Sequence, residues 1–168
     1  FICAHTIMFG LEGVPAIYIH SLLATGNDYH KMEHRGHNRA INRHQWDYPS
    51  LELALNDPNN HHAAVFSSLK SLLAIRQKQA AFHPNATQFT LHLGEGIIAF
   101  WRQSQTQAHH IFCISNILPE TQEIMISSIN LNHDELWHDL ISEQAISLED
   151  GAKLRLLPYQ SMWISNLD

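Results

Sequence analysis

Arginine, asparagine, aspartate and histidine crowd into one stretch, residues 13–48, which reads GVPAIYIHSLLATGNDYHKMEHRGHNRAINRHQWDY. Arg39 and Arg43 are the groups there suited to holding a phosphate or a carboxylate. A guanidinium is planar, always charged and able to bind two oxygens at once. Asn27, Asp28 and Asn42 carry short polar groups that can orient hydroxyls or, equally, tie a loop to itself. His20 directly follows a short apolar run, Val14-Pro15-Ala16-Ile17-Tyr18-Ile19. His30, Glu33, His34 and His37 suggest a metal site, since two histidines four apart on a helix is a ligand spacing. The Gly, Arg and Asn around them do not continue a helix, so no metal is expected, and nothing calls for a cofactor.

These side chains need elements to aim them. The run 14–19 is apolar on both faces, as a parallel strand covered on both sides requires, and Pro15 is tolerated near a strand's start. A buried strand feeding a polar loop is how an α/β barrel builds a substrate site, and it puts His20 at the strand's end. Ahead of it, Ile2, Cys3, Ile7, Met8 and Leu11 follow a helical repeat that Gly10 and Gly13 close. The loop 20–56 is long, and structureless loops beyond about 12–15 residues are usually functional or disordered. Asp57-Pro58 then predicts a helix start, cap followed by proline. Val65, Phe66, Leu69, Leu72, Leu73 and Arg76 repeat at helical spacing to about Ala81, where His83-Pro84 stops the pattern.

After Pro84 the texture changes to short alternating runs. Residues 87–93 and 97–103 flank Gly94-Glu95-Gly96, a hairpin signal. Runs at 110–116, 122–127, 136–141, 154–157 and 162–166 follow, which predicts an antiparallel sandwich or barrel. Phe100, Trp101, Trp137 and Trp163 could stack on sugars from such a sheet, making it a non-catalytic carbohydrate-binding domain. Core packing is the favoured reading, because they sit within apolar strand patterns.

Gly13-Val14-Pro15-Ala16-Ile17-Tyr18 resembles the last barrel strand of the α-amylase superfamily of glycoside hydrolases, family 13. His20-Ser21-Leu22-Leu23, Gly26-Asn27-Asp28-Tyr29 and Asn38-Arg39-Ala40-Ile41-Asn42-Arg43 resemble its sucrose phosphorylase branch. The likeness runs from residue 1 to about 82 and, more weakly, to the end, where Leu156-Leu157-Pro158-Tyr159-Gln160-Ser161-Met162-Trp163 is similar to the closing strands of the family's β-domain. The resemblance implies an α+β chain. Residues 1–84 would be the last β/α unit of a (β/α)8 barrel, as helix, strand, long loop and helix. Residues 85–168 would be an antiparallel C-terminal β-sandwich domain. It implies a retaining glucoside phosphorylase that moves glucose between an acceptor hydroxyl and inorganic phosphate through a glucosyl-enzyme intermediate. Such transfer needs two carboxylates about 5–5.5 Å apart. In the family these lie on earlier barrel strands, and neither motif is present here, so no catalytic residue is assigned. What carries over is the acceptor side. Arg39 would face the sugar or the phosphate, and Arg43 would join it or pair with a loop carboxylate. Asn42, Asp28 and His20 complete the set of candidate substrate contacts.

Length sets the same limit. The chain has 168 residues, whereas a whole barrel needs roughly 250. The expectation is therefore a C-terminal piece that is not catalytic alone and whose partners are the remainder of the barrel, a glucoside and phosphate. The acceptor (fructose, fructose 6-phosphate, glycerol or glycerate) is open. With its neighbours elsewhere, strand 14–19 would pair with another copy, or much of residues 1–56 would be disordered. A net charge of −6 argues against nucleic acid or an anionic membrane as partner. There is no run of about 18 apolar residues for a span and no signal-peptide pattern. Cys3 and Cys113, far apart in apolar surroundings, read as thiols of a reducing compartment, hence a cytoplasmic location.

Overall fold

The computed structural model describes residues 1–167. In chain order the helices are α1 (Ile2–Gly10), α2 (Ile19–Leu22), α3 (Tyr29–Arg35), α4 (Tyr48–Asn56) and α5 (His61–Arg76). Seven strands follow: β1 (Thr87–Leu91), β2 (Ile97–Gln103), β3 (His110–Asn116), β4 (Gln122–Met125), β5 (His138–Asp139), β6 (Lys153–Leu156) and β7 (Ser161–Ser165). The chain divides into two compact units, Phe1–Pro15 with Leu72–Asp168, and Ala16–Ser71. Within the first of these, α1 packs on β3 and β7.

The first unit is built on a five-stranded antiparallel sheet in the order β1-β2-β3-β7-β5, with a two-stranded sheet, β4-β6, beside it. Alternation sorts the side chains, since successive residues of a strand point to opposite faces. Ala99, Phe112, Ile114, Met162 and Ile164 join Ile124, Leu154 and Leu156 of β4 and β6 in one buried core. The opposite face presents Phe100, Arg102, Cys113 and Trp163. Trp163 lies against Phe82, ring centroids 4.8 Å apart. Gly10 of α1 comes so close to this face that a Cβ there would stand 2.9 Å from Phe100 Cζ and 3.1 Å from Cys113 Sγ. The central strands are thus covered on both sides, and all of β3 after His110 is buried.

Two arginines fasten the end of α1. Arg102, wholly buried, donates to the carbonyls of Gly10 (2.8 Å), His83 (3.1 Å) and Ala86 (3.3 Å). Arg76 donates to the carbonyls of Phe9 (2.7 Å) and Gly13 (3.0 Å). Both guanidiniums lie within 6 Å of the Phe82 ring, at 5.6 and 5.9 Å. Helix ends leave carbonyls without intrahelical partners, and a cation at a C-terminus suits both the hydrogen bonding and the dipole.

Between residues 14 and 62 the chain departs from expectation in three places. Residues 14–18 form no strand, although Tyr18 is extended, with φ −71° and ψ 136°. A strand exists only by pairing, and this segment meets no partner strand among the described residues. Val14, Tyr18 and Ile19 are exposed instead, Val14 to 80%. His20 consequently sits inside α2 rather than at a strand's end. The segment 20–56 is not structureless. Asp28 caps α3 by accepting from Lys31 N (2.8 Å), and Gly36 closes it in the left-handed region at φ 65°. Asp47 caps α4, accepting from Ser50 N (3.1 Å), with Pro49 in its first turn. Finally, Asp57-Pro58 makes a turn, Asn60 N donating to Asp57 O, and it is Asn60 Oδ1 that accepts from His62 N at the start of α5. A cap-plus-proline signal was present at both Asp47 and Asp57, and only the first of them opens a helix.

Candidate functional site

The 41–43 backbone is the anchor of the second unit. Its three successive carbonyls each accept a hydrogen bond: Ile41 O from Asp28 N (2.6 Å), Asn42 O from Tyr18 Oη (2.9 Å) and Arg43 O from Lys31 Nζ. Lys31 Nζ also donates to Gln45 Oε1 (3.3 Å). With the backbone tied down in this way, the side chains of Asn42 and Arg43 are left exposed. The 3-10 turn at Asn38–Ala40 sorts its residues likewise, with Ala40 buried and Arg39 exposed.

Asp28 is a brace. Besides capping α3 through Oδ1, it meets His44 Nδ1 through Oδ2 at 3.2 Å. The Lys31 amide first, and then the hydrogen bond to His44, hold its carboxyl below the usual carboxylate value. Both oxygens are spoken for, so neither is a free base. His44 in turn stands edge-on to Trp46 (5.1 Å), and Trp46 edge-on to His62 (5.0 Å). Trp46 Nε1 donates to Thr25 Oγ1 (2.8 Å), and His62 Nδ1 bonds Leu23 O (2.6 Å).

In front of this framework lies a cleft of about 480 Å³ whose polar walls are Lys31, Arg35, Arg43, His20, His37 and His44. Among the described residues no Asp or Glu lines it. Neither Arg35 nor Arg43 has an ion-pair partner among the described residues, and Nδ1 of His20 is buried without a hydrogen bond. Of the residues singled out by sequence, Arg43 and His20 line the cleft, Asp28 supports it from behind through His44, Asn42 contributes its carbonyl, and Arg39 stands outside it. Lys31 and Arg35 were missed. Their signal was the 31/35 spacing, one helical turn, hidden because no helix was expected there.

The same helix carries His30 and His34, stacked at 4.1 Å between centroids, with His34 Nδ1 against His30 O (3.1 Å). The expectation that the chain could not be helical there is therefore corrected. Among the described residues no three His, Cys, Asp or Glu side chains converge as metal ligands. The sugar-stacking platform also fails, because Trp137 and Trp163 are 4% and 1% exposed. Trp101 is half-buried between Phe89 and Phe112, its cross-strand neighbours, at 4.7 and 5.7 Å. The first unit has its own hollow of about 830 Å³, with mainly apolar walls that include Ile75, Leu136, Leu140 and Ile146.

No family model matches the chain. Among curated proteins it is 34% identical over 164 residues to a glucosylglycerate phosphorylase of Escherichia coli, matching 98% of this chain and 28% of that protein. It is 34% identical over 172 residues to a glucosylglycerate phosphorylase of Spirochaeta thermophila, matching 98% and 29%. The chain belongs to glycoside hydrolase family 13, the α-amylase superfamily. It corresponds to the C-terminal portion of that family's phosphorylases and spans less than a third of the length of these relatives. The fold agrees. An α-amylase of Geobacillus thermoleovorans, solved with acarbose, superposes with a TM-score of 0.73 at 17% identity over 99% of this chain and 33% of its own. A glucosylglycerol phosphorylase of Marinobacter adhaerens is a further curated relative, 29% identical over 109 residues, matching 65% of this chain and 21% of that protein. No helix among the described residues is long and apolar enough to cross a membrane.

Proposed function

We propose that this chain is the acceptor- and phosphate-side wall of a retaining glucoside phosphorylase, and that the paired catalytic carboxylates are supplied by the rest of the barrel. The substrates are a glucoside and inorganic phosphate. The relatives favour a glycerate-type acceptor over the fructose of the sucrose branch. In this reading residues 1–84 complete the barrel, residues 85–168 form the C-terminal β-sandwich, and exposed Val14, Tyr18 and Ile19 await the neighbouring barrel strand or, without it, a second copy. The location is cytoplasmic. Neither a metal nor a cofactor enters the reaction, whose work is nucleophilic displacement and proton transfer by carboxyl groups.

The observation that carries the proposal is the cleft itself: three cationic side chains and three histidines around one concavity, with no carboxylate among the described residues, on a chain 34% identical to phosphorylases. Phosphorolysis brings an anion to the glucosyl group where hydrolysis brings neutral water, so a wall of this sign suits the former. The test is phosphate-dependent release of glucose 1-phosphate from glucosylglycerate by the intact polypeptide, with none from the 168-residue chain alone. Release of free glucose without phosphate would mean a hydrolase, and activity of the isolated chain would place the carboxylates within it.

A further inference from the structure

We propose that the cleft between α3 and the 41–45 segment is an oxyanion subsite in which Arg35 and Arg43 contact the anion, Lys31 positions Arg43, and Arg39 takes no part. This deepens the phosphorylase reading and takes the identity of its ligand from that reading. The existence of the site stands on geometry alone.

Lys31 and Arg35 lie one turn apart on α3, a like-charge spacing that destabilises a helix. Arg43 adds a third cation to the same cleft. The chain has 16 acidic residues and a net charge of −6, yet no carboxylate among the described residues is placed against Arg35 or Arg43. Cations gathered in a concavity without counter-charge focus a positive field there, which is the arrangement that draws an anion. The donors are also disposed for one. Lys31 has three N–H groups, and two serve Arg43 O and Gln45 Oε1, which leaves the third for a ligand. The same bond to Arg43 O fixes the backbone that carries the Arg43 guanidinium. Arg35 and Arg43 keep their planar forks free, the geometry that binds phosphate or carboxylate through two oxygens. Arg39, on the outward side of the turn at Asn38–Ala40, does not line the cleft. The ligand is therefore a small oxyanion, which in a phosphorylase has two sources: the phosphate co-substrate, or the carboxylate of a glycerate-type acceptor.

Inorganic phosphate and D-glycerate are titrated separately into the 168-residue chain at fixed ionic strength, following the amide signals of residues 31–45 by NMR. Saturable shifts with one anion and not the other name the source. Arg35→Gln and Arg43→Gln should each weaken that binding by about tenfold or more, the loss of one charge-assisted contact. Arg39→Gln should leave it within about twofold, and Arg35→Lys should retain part of it. Unchanged circular dichroism of the variants shows that they fold. The subsite is overturned if neither anion gives a saturable shift, if added sodium chloride reproduces the shift, or if Arg39→Gln costs as much as Arg43→Gln. Anion binding together with an intact enzyme that does not use phosphate would overturn the phosphorylase reading and leave the subsite standing.

Discussion

Replacing Arg102 tests the most consequential packing arrangement in the first unit. The side chain has no exposed surface and donates to three carbonyls from two parts of the chain, Gly10 at the end of α1 and His83 and Ala86 ahead of β1. Arg102→Met keeps a similar apolar length and removes every donor. The bonds to Gly10 and Ala86 are fully buried, so two carbonyls lose their partner where water does not reach, at about 1–3 kcal/mol each. The His83 carbonyl lies nearer solvent, and its loss costs less. Against this, a neutral side chain no longer has to keep a guanidinium out of water, which returns part of the cost. The net expectation is a destabilisation of about 3 kcal/mol, or a fall of about 6–12 °C in Tm for a chain of this size. Urea denaturation followed by tryptophan fluorescence reads it, since Trp163 lies buried on the same sheet face. Arg102→Lys, with a single ammonium in place of a fork, should fall between wild type and Arg102→Met. A loss below about 1 kcal/mol for Arg102→Met would refute the argument. It would mean that the three carbonyls find water or other donors, and that α1 is held by apolar contact with Phe100 and Cys113.

Burial, with repulsion from His110 and His138, pushes His109 below the ordinary imidazole value. The folded chain holds the ring neutral while the unfolded chain takes a proton, so stability is full above the unfolded value and falls as pH drops below about 6.5. His109→Gln should flatten that fall in urea titrations between about pH 6.5 and 5, and an unchanged slope would show that another group carries it. Gly96 has φ 78°, and a Cβ there would lie 2.2 Å from Leu118 Cδ1. Gly96→Ala should cost about 2 kcal/mol or more, of which Gly96→Ala with Leu118→Ala recovers the steric part and leaves the backbone part. A neutral Gly96→Ala by thermal melting would mean that the hairpin relaxes freely.

Strand periodicity was legible where pairing partners lie within the same stretch of chain. The limits expected for β2 and β3 match the observed ones, because each is an alternating apolar run opposite its neighbour, Ile97 against Asn116 through to Gln103 against His110. The burial of Trp137 and Trp163 followed from the same pattern. The run 14–19 has the composition of a buried strand and is none, since composition states what a segment can cover and not whether a partner is there. The helices of the 20–56 segment were missed for a different reason. They are short, of four to nine residues, and rest on caps at Asp28 and Asp47 rather than on an apolar stripe, so periodicity has too little length in which to show.

The site residues divide along the same line. The Asn-Arg-x-Ile-Asn-Arg element could be seen in the sequence, but a motif gives the order of side chains and not their direction. Direction is set by the carbonyls of Ile41, Asn42 and Arg43, each claimed by a donor from a different segment: the Asp28 amide, the Tyr18 hydroxyl and the Lys31 ammonium. Those three bonds turn Arg43 toward the cleft, while the buried Ala40 on the preceding turn leaves Arg39 on the outside. Two arginines four residues apart, equivalent in the sequence, thereby acquire different surroundings. Lys31, which the sequence presents as one more charge on a polar loop, decides the position of one of them.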